Sequence, residues 1–345
     1  MTYKPLAFGG LAARLPIIQG GMGVGVSLAG LAGAVAAAGG VGVISAAQIG
    51  FMERDFARDP VAANLRALGE QIRLAKERAR GGVVGVNIMV AMNNYEKYVK
   101  AAVEAGVDLI VSGAGLPGSL PELVEGMKVA IAPMVSSAKG ARVLLSRWAQ
   151  KYARRADLLV VEGPKAGGHL GFTSDYFDKP HGENEYDAEL AAIIEEADGV
   201  PVVFGGGVFD GADVRKYLDM GCAGVQVATR FVVTEECDAH QNFKDAYINA
   251  GEGDIALVKS PVGMPGRAIA NDFLRRVGLG ERPPFDRCYG CLRKCNPLTI
   301  PFCITDALVR SVRGDTVNGL IFCGANAYRV DRMTTVPELL EELCP

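Results

Sequence analysis

Histidine is scarce in this chain, with three among 345 residues, so the setting of each one is informative. An excess of basic charge is also missing: 36 Lys and Arg stand against 39 Asp and Glu, a formal net charge of -3. Nucleic acid is thereby excluded as the main partner, because a phosphate backbone asks for a concentrated basic face. Charge of either sign is absent from Leu15 to Met52, yet ten glycines interrupt that stretch and Pro16 starts it. A continuous lipid-facing helix does not tolerate so many breakers. A strand, a glycine loop, a small-residue helix over Leu28–Ala38 and a second strand fit instead, so no membrane span is expected. Met1–Leu15 has no basic start followed by an apolar block and a cleavage site, which makes the cytoplasm the default location.

Hydrophobic residues make up 49% of the chain and charged residues 22%, a composition that packs a soluble core and leaves no room for long disorder. The 44 glycines follow no Gly-X-Y period, which excludes collagen and implies many turns or close backbone approaches to a ligand. Eight short apolar runs end in small or polar residues: Pro16–Gly21, Val41–Ala46, Val83–Met89, Leu109–Gly113, Lys128–Met134, Leu158–Glu162, Val200–Phe204 and Gly224–Ala228. Segments of helical length and spacing lie between them, among them Tyr95–Ala105, Ala138–Tyr152, Glu189–Ala197, Ala212–Met220 and Ala239–Ala250. Alternating strands and helices predict a parallel sheet, and eight such units predict a closed (β/α)8 TIM barrel over residues 1–254. The competing open dinucleotide-binding sheet needs an acidic residue about twenty positions after its glycine turn, and none follows Gly21-Met22-Gly23 before Glu53. Residues 255–345 change character, with proline, arginine and closely spaced cysteines, and read as a C-terminal extension ending in a small helix at Val336–Leu343.

A barrel of this type holds its ligand at the C-terminal ends of the strands, often with a phosphate on the loops after strands seven and eight. Those loops read F-G-G-G-V-F-D, with Gly205, Gly206 and Gly207, and Q-V-A-T-R-F, with Gln226, Ala228 and Thr229. Glycines let backbone N–H groups approach a phosphate, and Thr229 adds a hydroxyl, although a glycine triplet is also simply a turn. The ends of strands one to three offer Gly21, Met22, Gly23, Ser45, Ala46 and Asn87, small and soft residues that suit a flat ring with an amide for its polar atoms. Met22 equally suits core filling. Val160–Phe172 reads V-V-E-G-P-K-A-G-G-H-L-G-F, a buried strand that stops at small residues and the titratable ring of His169. That arrangement presents an acid–base group at a barrel rim, though a lone histidine after a strand is also a common structural residue.

Taken together, P-I-I-Q-G-G-M, A-G-G-V-G-V-I, V-E-G-x-x-A-G-G-H-L-G, G-G-G-V-F-D-G and V-Q-V-A-T-R-F-V-V-T-E-E-C-D-A-H resemble the FMN-dependent nitronate monooxygenase (2-nitropropane dioxygenase-like) family, nearest its enoyl-ACP reductase II branch. The resemblance runs in order from about Pro16 to Ala250. It implies FMN with its ring over the first strands and its phosphate at Gly206, Gly207, Ala228 and Thr229, adds Glu162, Gly167 and Gly168 to the cofactor contacts, and gives His169 a catalytic role. Two positions depart from the family pattern: Pro164-Lys165 stands where an acidic residue is usual, and Ala228 replaces a glycine. Lys165 thereby becomes a candidate for stabilising an anionic reduced flavin, or a residue that points to solvent.

The reaction expected from this resemblance is NAD(P)H-dependent reduction of an activated C=C bond in an enone or enoyl thioester. Nitronate oxidation with oxygen is the alternative, and a non-catalytic flavin or electron-carrier protein is the alternative of another class. A small-molecule substrate and a homodimer are the expected partners. The spacing Cys288-x2-Cys291-x3-Cys295-x7-Cys303 favours metal ligation over structural disulfides in a cytoplasmic enzyme. It partly resembles the iron–sulfur segment of the 2,4-dienoyl-CoA reductase family, so a [4Fe-4S] cluster, zinc or plain reduced thiols stay open. Ser260 to Arg267 reads as a lid over the substrate, with Arg267 either meeting a substrate anion or only the rim.

Overall fold

A computed structural model describes residues 3–179, 182 and 184–345. Eight parallel strands close into a barrel: Ile17–Gln19, Val41–Ser45, Val83–Asn87, Leu109–Ser112, Ala130–Val135, Leu159–Glu162, Val202–Gly205 and Gly224–Val227. Closure is made by the last strand against the first, with Val225 opposite Ile17 and Val227 opposite Gln19. Every apolar run expected from the sequence overlaps one of these strands, two of them ending one residue short of it, because a strand covered on both faces is a short unbroken apolar word. The longest helix of the described residues, Pro60–Arg78, is not among the expected elements. It starts at Pro60 with the Asp59 side chain accepting the Ala62 N–H, a local start signal with only a diffuse apolar stripe behind it.

Two apolar layers hold the barrel. Inside it, Ile18, Val43, Leu109, Ala132, Val160 and Val203 stack together, and Leu6, Phe8 and Ala13 of an antiparallel hairpin plug the N-terminal end. Outside, the alternate strand residues pack on the helices. The helix Ala29–Ala37 comes so close to the sheet that a side-chain carbon on Gly42 would lie 1.8 Å from the Ala32 carbonyl oxygen. One on Gly82 would lie 2.1 Å from that of Ala36. This backbone-to-backbone contact is why the stretch is built of small uncharged residues; among the described residues no helix is long and apolar enough to cross a membrane. The helix carries no cap of its own. The Asp238 carboxylate, from beyond the eighth strand, accepts the N–H groups of Leu28 (2.8 Å), Gly30 (3.0 Å) and Leu31 (3.1 Å) in its place.

The C-terminal extension folds back over the mouth of the barrel. Its hairpin, Ile255–Lys259 paired with Pro265–Ile269, takes Gly168–His169 as a third antiparallel strand, Gly266 opposite His169 and Arg267 opposite Gly168. A small core of its own contains Phe273, Leu292, Phe302, Ile304 and Leu320. The final helix Val336–Leu343 instead buries Val336, Leu339, Leu340 and Leu343 in the outer core of the barrel.

Candidate active site

The strand ends and the extension together enclose a cavity of about 870 Å³. From the barrel it is lined by Gly21, Met22, Gly23, Ser45, Asn87, Glu162, Lys165, Gly167, Gly168, His169, Gly205, Gly206, Gly207, Gln226, Ala228 and Thr229. Nearly all of the candidate residues are thus brought to one place. Ala46 is the exception: it is fully buried in the outer core, because successive strand residues face opposite sides, and its neighbour Ala47 lines the cavity.

The first three strand ends are tightly nested. A side-chain carbon on Gly21 would sit 2.6 Å from Asn87 Cβ, and one on Gly23 would sit 2.7 Å from Ser45 Oγ. Met22 is held by its backbone N–H, which donates to Ser27 Oγ at 2.8 Å. Two strands away from the first, Gly206 (φ +124°) and Gly207 (φ +92°) turn the chain after the seventh strand through conformations that favour glycine. Their N–H groups donate to no other described residue, and neither the Asn87 nor the Gln226 side-chain amide has a partner among them. Thr229 Oγ1 accepts the Gly324 N–H at 3.1 Å and keeps its own proton to donate. An unpaired polar rim around a small-residue floor is a binding surface for a ligand with a planar and an anionic part.

His169 and Glu162 are two titratable groups on the cavity wall, at and after the end of the sixth strand. His169 Nε2 lies 2.7 Å from Ser260 Oγ, and the Phe322 ring stands edge-on to the imidazole at 4.9 Å between centroids. Burial holds the ring pKa down to about 4, so it is neutral at pH 7. Glu162, at the end of the sixth strand, accepts the Gly171 N–H at 2.7 Å and the Ser136 hydroxyl at 3.3 Å, both on Oε2. Burial pushes its carboxyl up to about 7 against those two hydrogen bonds and the charge of Arg267. The pair reverses the ordinary order of the two residue types. Arg267 is not among the residues lining the cavity: it is buried, donating to the Ala166 carbonyl, with its guanidinium 5.6 Å from the Phe177 ring centroid.

Several cavity residues escaped the sequence reading. Ser260 sits in the turn expected to act as a lid, which contributes Val262 and Met264 to the lining, but nothing in sequence order pairs it with a histidine 91 positions earlier. Ser136 and Gly113-Ala114-Gly115 follow the fifth and fourth strands, and the strand ends themselves were the signal for both. Phe322, Cys323 and Asn326 come from the extension, with Asn326 donating to the Gly207 carbonyl at 2.6 Å. Metal ligation is one of the three readings open for Cys288, Cys291, Cys295 and Cys303. Among the described residues no three Cys, His, Asp or Glu side chains are grouped to hold an ion. Cys303 is buried at the start of the helix Ile304–Val312, Cys288 is exposed, and Cys291 and Cys295 are half-buried. Only Cys295 of the four lines the cavity.

The family model described as nitronate monooxygenase matches residues 7–345. A relative from Mycobacterium tuberculosis, named (3aS,4S,5R,7aS)-5-hydroxy-7a-methyl-1-oxo-octahydro-1H-indene-4-carboxyl-CoA dehydrogenase, is 28% identical over 272 residues, 77% of this chain and 66% of the relative. The chain therefore spans just under two thirds of that relative's length. A probable nitronate monooxygenase from Staphylococcus saprophyticus is 23% identical over 300 residues, 80% of this chain and 81% of the relative. Among solved structures, FabK from Thermotoga maritima superposes with a TM-score of 0.72 at 24% identity, covering 96% of this chain and 92% of its own, which establishes the shared barrel.

Proposed function

The chain belongs to the nitronate monooxygenase family and is an oxidoreductase, and from that premise we propose that it binds FMN and reduces an activated C=C bond with electrons from NAD(P)H. The cofactor reading is supported by the unpaired N–H groups of Gly206 and Gly207 for a phosphate. The free amides of Asn87 and Gln226 above the floor of Gly21, Met22 and Gly23 support a planar ring. FMN held there would supply two-electron hydride chemistry.

The observation that favours reduction is Glu162. Hydride addition to the β carbon of an enone or enoyl thioester leaves an enolate that must take a proton at its α carbon, whereas a nitronate arrives as an anion and needs none. A carboxyl held up to about 7 carries a proton over much of the neutral range and gives it up readily. Its Oε1 has no partner among the described residues, so the donor oxygen is free. The His169 ring works differently. Ser260 Oγ accepts the Val262 N–H at 3.3 Å, and donation of its own proton to Nε2 would leave the neutral ring with its proton on Nδ1. His169 then orients the substrate carbonyl as a neutral hydrogen-bond donor and leaves proton delivery to Glu162.

Nitronate oxidation is the second reading, favoured by the description of the matching family model. An anaerobic rapid-mixing experiment separates the two. The bound flavin is reduced with NADH or NADPH and offered enones and enoyl thioesters in turn, and the oxidised protein is separately offered nitronates with and without oxygen. Reoxidation by the alkenes, slowed in Glu162→Gln and above neutral pH in the wild type, is the expected result. Turnover confined to nitronate with oxygen defeats the reductase reading.

A further inference from the structure

We propose that Lys165 is the counter-charge for the cofactor's phosphate, lying across the glycine loop after the seventh strand; this rests on the FMN reading of the site. A side-chain carbon on Gly207 would lie 2.9 Å from Lys165 Cβ and 3.0 Å from Cδ, so the lysine stem runs directly along that glycine. Gly207 is one of the two residues whose N–H groups are left unpaired at the cavity wall. The base of the stem is fixed, since Lys165 O accepts the Ala325 N–H at 3.0 Å and Ala166 N donates to Gly163 O at 3.1 Å.

The other cations around the loop are already committed. Arg329 pairs with Asp210 at 2.9 Å, and Arg230 pairs with Glu342 and donates to the Phe209 carbonyl. Arg293 and Lys294 join the cavity wall at the far side, where Arg293 Nε donates to the Met92 carbonyl beyond the third strand. Among the described residues the Lys165 ammonium makes no ion pair or hydrogen bond, and its side chain is exposed at the cavity wall. A free cation held along two unpaired N–H groups matches a phosphate dianion, which takes both neutral and charge-assisted hydrogen bonds. A stem laid along Gly207 assigns Lys165 to binding the phosphate rather than to tuning the flavin.

The test compares FMN with riboflavin, which lacks the phosphate. Full-length wild-type protein, Lys165→Met and Lys165→Arg are stripped of flavin, checked for unchanged melting temperature, and titrated with each compound by quenching of flavin fluorescence at low and high salt. Lys165→Met is expected to weaken FMN about tenfold while leaving riboflavin unchanged, with the gap narrowing as salt rises. Lys165→Arg should keep most of the FMN affinity. Equal losses for FMN and riboflavin, or no loss for either, overturn the assignment. Wild-type protein that binds the two equally well removes the phosphate site, and wild-type protein that binds neither removes the flavin reading along with it.

Discussion

Burial acts in opposite directions on Glu162 and His169 at the cavity wall. Glu162 keeps its proton in the folded chain up to about pH 7, against an ordinary value of 4.5, so it makes stability fall as pH rises between about 4.5 and about 7. His169 stays neutral in the folded chain down to about pH 4, against 6.5 when exposed, so it makes stability rise between about 4 and about 6.5. Over the shared window the two slopes oppose each other. Melting curves from pH 4.5 to 6.5 should therefore climb more steeply with pH in Glu162→Gln than in the wild type, and less steeply in His169→Asn. Wild-type profiles in both variants would show that neither group is perturbed as described. In turnover, His169→Ala should lose about 100-fold or more while the yellow flavin absorbance survives purification; loss of the flavin instead would make the ring a cofactor contact. At this scale the sequence was legible where glycine flanks a titratable side chain, as around His169. It was silent where the effect depends on what covers the residue. The high pKa of Glu162 arises from the closing of the cavity, and the Ser260 contact spans 91 positions.

Among elements, the barrel strands were readable because each is a short apolar run between small residues. The hairpins at its two ends were not, since Leu6–Phe8 and Leu11–Ala13 are only three residues each and Ile255–Lys259 alternates weakly. Gly42 shows how one small residue sets an element's position. The added methyl of Gly42→Ala would run into the Ala32 carbonyl and push the helix Ala29–Ala37 off the sheet. We expect a cost of about 3 kcal/mol in urea unfolding, at the upper end for overpacking in a core. Gly69, which has open space around its Cβ position, is the control: alanine there should be neutral or stabilising. A mild Gly42→Ala would mean that the helix rides higher on the sheet than described.

For the whole molecule, the division into a barrel of residues 1–254 and an extension of residues 255–345 follows the path of the chain, and we propose that the two fold as one unit. The final helix places four side chains in the barrel's outer core, and Asp238, three residues past the Glu235 that pairs with Thr334, caps the first barrel helix. A chain ending at Met333 should expose that core and appear in the insoluble fraction, or melt well below the full-length protein. A soluble truncation with unchanged melting temperature would show the extension to be separable. The barrel was foreseeable from strand count alone. The way the tail closes it was not, because contacts between residues hundreds of positions apart leave no local trace.

The rung between Gly266 and His169 has one more consequence. It joins the roof of the chamber and the backbone of His169 in one sheet, so opening the roof would break that rung and draw Ser260 away from the ring. Like a machine whose guard carries the contact that completes its circuit, the molecule would stand idle whenever it is ajar.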